Sequence, residues 1–525
     1  MNNSKNLIAK IPPEVSRVTD KLEKAGFQTY LVGGCVRDLL MDREPKDWDI
    51  TTNAKPEEIM GLFEKTVYEN SFGTVAIINE GVSQETLRQI EVTPYRIEAK
   101  YSDFRHPDEV KFSDKLEDDL KRRDFAMNAL AIDNKGQLVD LYKGQDDIKN
   151  KVIRTVGEPD DRFQEDALRM LRAIRFSVQL DFSIAHETSE SILKNSELIK
   201  KISQERIRDE FVKIIMSKNP ATGILLLQKF NLLKYIIPEL EEGINCQQSG
   251  EHIYDVFNHL LHALQHSADK NWPLEVRLSA LFHDIGKPKS RRFAETDGHA
   301  LRRSHSVLEG QEIKESQRIL LQASPSVSRK KLYTFYGHEV VSARMTKKIL
   351  ERLKFSKKEI ELVEKLIRSH MFFSDTEQIT LSAVRRIITK VGKENIWSLM
   401  NVRECDRVGM KKKEAPYRLR KYFAMIEEAL HDPISVGQLK INGEDLKDMK
   451  ITPGPRMGWI LHALLEEVLE DPKKNTKEKL TDLVEKLNKL SDKELRTLGE
   501  KGKEKKEELE EKEIEKLHQK HNVKK

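Results

Sequence analysis

The residues best placed to do chemistry lie between Tyr30 and Thr52, YLVGGCVRDLLMDREPKDWDITT. Asp47 and Asp49 stand at i and i+2, so on a strand both carboxylates project from one face. Gly33 and Gly34 follow the apolar run Tyr30-Leu31-Val32. Without side chains there, backbone N–H groups are open to a phosphate, and Arg37 one turn further on meets its charge. Two hard oxygen ligands beside a phosphate cradle are what Mg²⁺-dependent phosphoryl or nucleotidyl transfer requires. The competing reading is a polar turn before a solvated edge strand.

In RQIEVTPYR (88–96), Glu91 alternates with Ile90 and Val92 and so faces away from the core, where a third carboxylate could complete a metal site. Arg123 and Asn128, in LEDDLKRRDFAMNALAID, are candidates for ribose and triphosphate contacts or ordinary helix-surface polarity. In EDALRMLRAIRF (165–176), Ala167, Leu171 and Ile174 share one helix face with Val178 beyond, while Glu165, Asp166, Arg169 and Arg172 share the opposite one. That pattern describes a salt-bridged surface helix, or an array of acceptor and donors able to read the Watson–Crick edge of a base.

A second constellation lies downstream. His283-Asp284, with His259 before and Asp406 after, supplies imidazole and carboxylate ligands from separate predicted helices, and His338 and His370 could hold a second metal. Such mixed N/O ligation suits Mn, Fe, Ni or Zn better than Mg alone.

The elements that position these groups follow from periodicity and punctuation. Residues 12–26 read as an amphipathic helix ended by Gly26, PEEIMGLFE as a helix, and GTVAIIN (73–79), 88–96 and VKF (110–112) as strands. Residues 97–109 are too hydrophilic to pack and read as a mobile active-site loop or a long hairpin tip. From 183 onward apolar spacing follows three and four, which predicts helix almost throughout, and 289–330 reads as an insertion at the mouth of the second constellation. GPRMG at 454–458 starts a helix whose entry, with Arg456, is either a phosphate dock or a packing terminus. From Lys473 Lys and Glu alternate almost to the end, which predicts a solvated helical or partly disordered extension.

At 525 residues the chain has room for about three or four domains. With 92 Lys+Arg against 87 Asp+Glu, any nucleic-acid surface must come from local segregation of charge. Three widely spaced cysteines, Cys35, Cys246 and Cys405, form neither a disulfide framework nor a CxxC zinc site. No apolar leader or run of about 18 apolar residues occurs, so a cytoplasmic location without membrane partners is expected.

GGCVRD, DWD, RRDFAMNA and EDALRMLRAIRF, in that order, resemble the bacterial tRNA nucleotidyltransferase and poly(A) polymerase family, class II of the polymerase-β-like superfamily, over roughly residues 28–470. The resemblance implies an α+β polymerase-β-like nucleotidyltransferase head (1–155), then an all-α neck (156–220), body (221–430) and tail (431–472), with 473–525 a charged extension. It implies that Gly33, Gly34 and Arg37 contact the nucleotide, Asp47 and Asp49 bind Mg²⁺, and Glu91 activates the primer 3′-hydroxyl. Arg123 and Asn128 would serve ribose and triphosphate, and Asp166, Arg169, Arg172 and Arg175 would select CTP or ATP. The expected function is addition of CCA to the tRNA 3′ end, with an A-adding enzyme or poly(A) polymerase as the alternative; the full-length 97–109 segment argues against a CC-only enzyme. The second constellation resembles an HD phosphohydrolase domain, which implies metal-dependent hydrolysis of RNA-end phosphates such as 2′,3′-cyclic phosphates, with Ni, Mn or Fe at His259, His283, Asp284, His338, His370 and Asp406.

Overall fold

A computed structural model of the protein describes residues 7–68, 73–98, 110–248, 252–294, 333–371, 379–410, 416–500 and 523–524. Most of the 97–109 segment and of the 289–330 insertion, and the last part of the charged extension, lie outside the described residues. The chain divides into two compact units, 1–238 and 239–525. That division falls within the segment expected to be body, because the Pro220–Lys229 helix packs on Leu168–Leu180 of the first unit.

The first unit is built on a seven-stranded sheet. Its strands are β1 (Thr29–Val32), β2 (Asp49–Thr52), β3 (Thr66–Tyr68), β4 (Val75–Ile78), β5 (Gln89–Pro94), β8 (Leu130–Ile132) and β9 (Leu138–Asp140), in the order β3-β4-β5-β2-β1-β8-β9. β6 (Arg96–Glu98) and β7 (Val110–Phe112) pair separately. Only β2 and β5 run parallel; the other neighbours in the seven-stranded sheet are antiparallel. Alternation decides the faces. Leu31, Ile50, Ile90, Val92 and Ile132 pack on one side with Val15, Val18 and Leu22 of the Pro13–Lys24 helix, while Val32, Tyr95 and Ala131 pack with Leu116 and Leu120 elsewhere.

Past the sheet the chain is helical, with one correction to the expected single helix over 165–176. Pro159–Glu165 and Leu168–Leu180 are separate helices. Asp166 leaves helical geometry (φ −142°, ψ 104°), and its carboxylate accepts the Leu168 N–H at 3.0 Å, the action of a capping residue. The second helix is buried nearly all round, including Arg169 and Arg175.

The second unit is helical, but strand pairing does recur after 183: Arg292–Ala294 pairs antiparallel with Tyr333–Thr334, joining the chain on either side of the insertion. The charged extension is also corrected. Lys477–Leu487 and Asp492–Glu500 are helices, and Leu480, Val484 and Leu495 are fully buried beside Ile460, Leu464 and Val468 of the Pro455–Glu470 helix. A Lys/Glu-rich sequence hides such helices because one or two buried apolar residues on each, Leu480 and Val484 on the first and Leu495 on the second, are enough to dock them on an existing core. Arg456 serves that docking: its guanidinium donates to the Asn488 and Leu490 carbonyls at 2.8 and 2.9 Å and pairs with Asp492. It therefore takes the packing role, not the phosphate dock. Leu480→Ala should destabilise this unit by about 2–5 kcal/mol in denaturant unfolding; an unchanged midpoint would mean the segment is not part of the core. Among the described residues no helix is long and apolar enough to cross a membrane.

Candidate functional site

In the head, Asp49 opens β2 and its Cα partner across the parallel ladder is Glu91 of β5. Ile50, Ile90 and Val92 are committed to the core, so Asp49 and Glu91 share the opposite face by strand alternation. Asp47 lies in the bend just before β2, exposed, with the buried Trp48 between the two aspartates. The three carboxylates stand on adjoining segments without all their oxygens lying within 4.8 Å of one another. Burial pushes the Asp49 carboxyl above its usual range; Arg123 opposes this and Asp47 reinforces it. Oxygen-only donors in this arrangement fit a hard divalent cation.

Gly33 makes this arrangement possible. Its φ is +81°, and a Cβ there would lie 2.8 Å from Arg123 Nη1 and 3.5 Å from Asp49 Oδ2. Arg123 can lie across the turn beside Asp49 only because that side chain is missing. Asp119, fully buried, holds Arg123 at 3.2 Å and Arg122 at 2.7 Å; despite its burial, the two guanidiniums keep its carboxyl below the usual range. Gly34 begins the Gly34–Leu40 helix, which carries Arg37.

Arg37 is the start of a buried chain of hydrogen bonds. It donates to Asn128 Oδ1 at 2.8 Å, Asn128 donates to Asp124 Oδ1 at 3.1 Å, and Arg172 donates to Asp124 Oδ2 at 2.7 Å. The Phe176 ring lies among three guanidiniums, with Arg37, Arg172 and Arg175 at 5.2, 5.5 and 4.1 Å from its centroid. Arg175 pairs with the buried Glu210 at 3.1 Å; burial and the Arg172 charge push its pKa down to about 10. The structure thus joins Arg37, Asn128, Arg172 and Arg175 in one network. Asp166 and Arg169 are engaged otherwise: Asp166 takes a two-pronged bond from Arg206, at 2.7 and 3.3 Å, and Arg169 binds Glu165 and the carbonyls of Arg162 and Arg122.

Asp119, Asp124, Arg206 and Glu210 escaped the sequence reading. Asp119 stands three and four residues before Arg122 and Arg123 and carried a usable signal, whereas Asp124 pairs with Arg172, 48 residues away, and had none. Arg206 and Glu210 sit 35–40 residues from their partners, on the Gln204–Ile215 helix, and had none.

In the second unit the ligands gather chiefly at helix ends. His259 projects from Val256–Asp269, while His283 and His370 directly follow Leu274–Phe282 and Lys357–Ser369. His338 opens His338–Arg352, and Asp406 ends Ile396–Asp406. Two groups result: His259, His283, Asp284 and Asp406, and Asp284, His338 and His370, all buried, each group with its ligand atoms within 4.8 Å. Asp284 belongs to both. Its Oδ2 lies 3.5 and 3.4 Å from Nε2 of His259 and His283, and its Oδ1 lies 3.1 and 3.9 Å from Nε2 of His338 and His370.

Three of the imidazoles are oriented from behind. Nδ1 of His283, His338 and His370 lies 2.9, 2.7 and 2.6 Å from the carbonyls of Ala280, Phe335 and Ile367. A proton held at Nδ1 turns the Nε2 lone pair inward, the tautomer a metal ligand requires. Burial pushes His259 and His370 down to about 3, so both are neutral. For His283 burial acts the same way, but Asp284 and Asp406 outweigh it and raise its pKa. Among the described residues Oδ1 of Asp284 and Nε2 of His338 and His370 are buried without a well-formed hydrogen bond, while Asp284 Oδ2 faces the Lys287 ammonium. Each such orphan costs about 1–3 kcal/mol, and divalent cations would satisfy them; the donor set fits.

Gly286 lets the His283-Asp284 turn reach this position: a Cβ on it would meet Ser342 N at 2.5 Å, and its N–H bonds Ser342 Oγ at 2.9 Å. Lys287, also missed by the sequence reading, is buried with Nζ 2.6 Å from Asp284 Oδ2 and 2.6 Å from Gln248 Oε1.

Comparison with known proteins places four family models along the chain. The Poly A polymerase head domain model matches residues 29–154, and that for the RNA and SrmB-binding site of polymerase A matches 181–244. The HD domain model matches 251–408 and tRNA nucleotidyltransferase domain 2 matches 333–484. The chain is 45% identical over 233 residues to the CCA-adding enzyme of Ligilactobacillus salivarius, covering 44% of this chain and 56% of that one. It is 41% identical over 278 residues to that of Geobacillus thermodenitrificans, covering 52% and 63%. These matches span between half and two thirds of the relatives' length. The Bacillus stearothermophilus CCA-adding enzyme in complex with CTP superposes with a TM-score of 0.63 at 27% identity, covering 91% of this chain and 98% of that one. The Thermotoga maritima CCA-adding enzyme complexed with tRNA shares the fold, with a TM-score of 0.54 at 19% identity over 92% and 98%. The head and HD domains imply dependence on divalent metal. The four domain matches thus stand in order along the chain: a Poly A polymerase head domain, the RNA and SrmB-binding site of polymerase A, then an HD domain overlapping tRNA nucleotidyltransferase domain 2 in the helical half.

Proposed function

We propose that the protein is a cytoplasmic CCA-adding tRNA nucleotidyltransferase, extending the tRNA 3′ end from CTP and ATP with release of pyrophosphate. The observation that carries this reading is the registry of Asp49 and Glu91 on adjacent parallel strands, with Gly33 and Arg123 packed beside them. Asp47 and Asp49 would hold Mg²⁺, which when bound stabilises charge on the attacking and leaving oxygens of an in-line displacement. Glu91 takes the proton of the primer 3′-hydroxyl, and Gly33, Gly34, Arg37, Arg123 and Asn128 receive the triphosphate and ribose. Arg172 presents donors to the base; Arg175, Asp166 and Arg169 set its position through their own pairs. The protein surface, not a nucleic-acid strand, acts as template. We read 1–155 as the palm, 156–220 as the neck, 221–430 as the body and 431–472 as the tail.

Purified protein given tRNA lacking CCA should add C from CTP alone and terminal A only after C. Incorporation of A without any C would sink the CCA reading in favour of an A-adding enzyme, and long A tracts would indicate a poly(A) polymerase.

The second centre supports a second reading on its own observation, the imidazoles of His259, His283, His338 and His370 gathered around Asp284, three of them with Nδ1 held by a backbone carbonyl. We assign it a phosphohydrolase activity on RNA-end phosphates such as 2′,3′-cyclic phosphates. Its six ligands suit Ni, Mn or Fe, whose chemistry when bound is activation of a water toward phosphorus.

A further inference from the structure

The HD centre opens into a pocket of about 560 Å³, within the range of small-ligand sites. Its lining combines cationic and aromatic side chains, and the two meet where Lys287 Nζ lies 5.8 Å from the Phe335 ring centroid. Lys287, Arg403 and Arg407 line it together with the metal-site residues His338 and Asp406. Tyr333, Phe335 and Tyr336 line it as well, and all three are half-buried. These aromatics come from the strand and turn that close the insertion. Tyr333 pairs with Phe293 in the short ladder, and the Arg291 guanidinium stacks on its ring 3.6 Å from the centroid. Phe335 is coupled to the metal site itself, since its carbonyl receives the His338 Nδ1 proton at 2.7 Å. That hydrogen bond ties the aromatic segment to a ligand imidazole.

Cationic side chains next to a metal centre bind phosphate oxygens, whereas aromatic rings lining the same pocket bind a flat π-system. A simple phosphomonoester or a serine-borne phosphate would use the first and leave the second wet. We propose that residues 333–336 form a nucleobase-binding wall, so that the phosphate this centre acts on is carried by a nucleoside. This inference rests on the phosphohydrolase reading of the centre. It adds that the residues closing the insertion determine specificity, with the base stacked on Tyr336 and Phe335 and the phosphate toward Lys287 and Arg403.

The test compares adenosine 2′,3′-cyclic phosphate with glycerol 1,2-cyclic phosphate, using the full-length Mn²⁺-loaded protein and its Tyr336→Ala and Tyr336→Phe variants. Loss of one base–aromatic stack is expected to raise KM for the adenosine substrate about ten-fold at nearly constant kcat. Tyr336→Phe should retain the wild-type KM, and neither variant should alter turnover of the glycerol substrate. Equal effects on both substrates, or none on the adenosine one, would overturn the wall. Titration calorimetry with adenosine 3′-monophosphate gives a second readout, independent of turnover. Tyr336 lies in the other compact unit from the head, so nucleotide bound by the head cancels between wild type and variant. Binding should weaken about ten-fold in Tyr336→Ala and not in Tyr336→Phe; unchanged binding overturns the wall. A wild type that binds the nucleotide here but hydrolyses neither substrate would refute the phosphohydrolase reading and leave the wall standing.

Discussion

Asp49→Asn should lower nucleotide incorporation into tRNA lacking CCA by about a thousand-fold or more while leaving the fold intact. The amide keeps the shape of the carboxyl but loses the charge that binds a hard cation and balances Arg123, a loss of transition-state stabilisation of at least several kcal/mol. Stability should not fall. Burial pushes this carboxyl above its usual range, so ionised Asp49 is already disfavoured in the folded head, and a neutral isostere removes that desolvation cost. The measurement is incorporation of CTP and ATP, with the thermal midpoint as control. Full incorporation by Asp49→Asn, or by Asp47→Ala, would overturn the two-metal mechanism. It would favour the rival from another class, an RNA-end phosphohydrolase whose head no longer catalyses.

Asp284→Asn should reduce cyclic-phosphate hydrolysis by a comparable factor and leave CCA addition unchanged. Asp284 is shared by both ligand groups, one oxygen facing each. An amide offers only one oxygen, and its NH₂ end would face either an imidazole lone pair or the Lys287 ammonium, now without its anion. Bound metal, measured on the purified protein, should drop to near zero. His370→Ala, which touches only one group, should remove part of the metal and serves as the milder variant if the buried Lys287 makes Asp284→Asn unstable. Loss of CCA addition together with hydrolysis would assign the centre a structural role.

How far the sequence reaches can be judged residue by residue. Asp49 and Glu91 were legible as a pair because strand alternation is local: each is flanked by residues that must enter the core, so each must leave it. His259, His283, Asp284, His338, His370 and Asp406 were legible for a different reason, since imidazoles and carboxylates beside apolar helix faces have few structural uses together. The break at Asp166 was not legible. The heptad-like spacing runs straight through it, and the competing bond, a carboxylate capping the Leu168 N–H, costs nothing visible in the pattern. The charged extension misled for the opposite reason: composition described its solvent face and hid Leu480, Val484 and Leu495.

The sequence by itself determined the chemistry-bearing residue types and the strands and helices that carry them. Those properties depend on periods of two and 3.6 residues and on short motifs. Tertiary structure alone decided which charges pair. Glu210 with Arg175, Arg206 with Asp166, and Arg37 with Arg172 through Asn128 and Asp124 are contacts between segments far apart in the chain. No local rule selects them, because a buried ion finds its partner through packing and desolvation, which are properties of the folded core and not of any window of sequence.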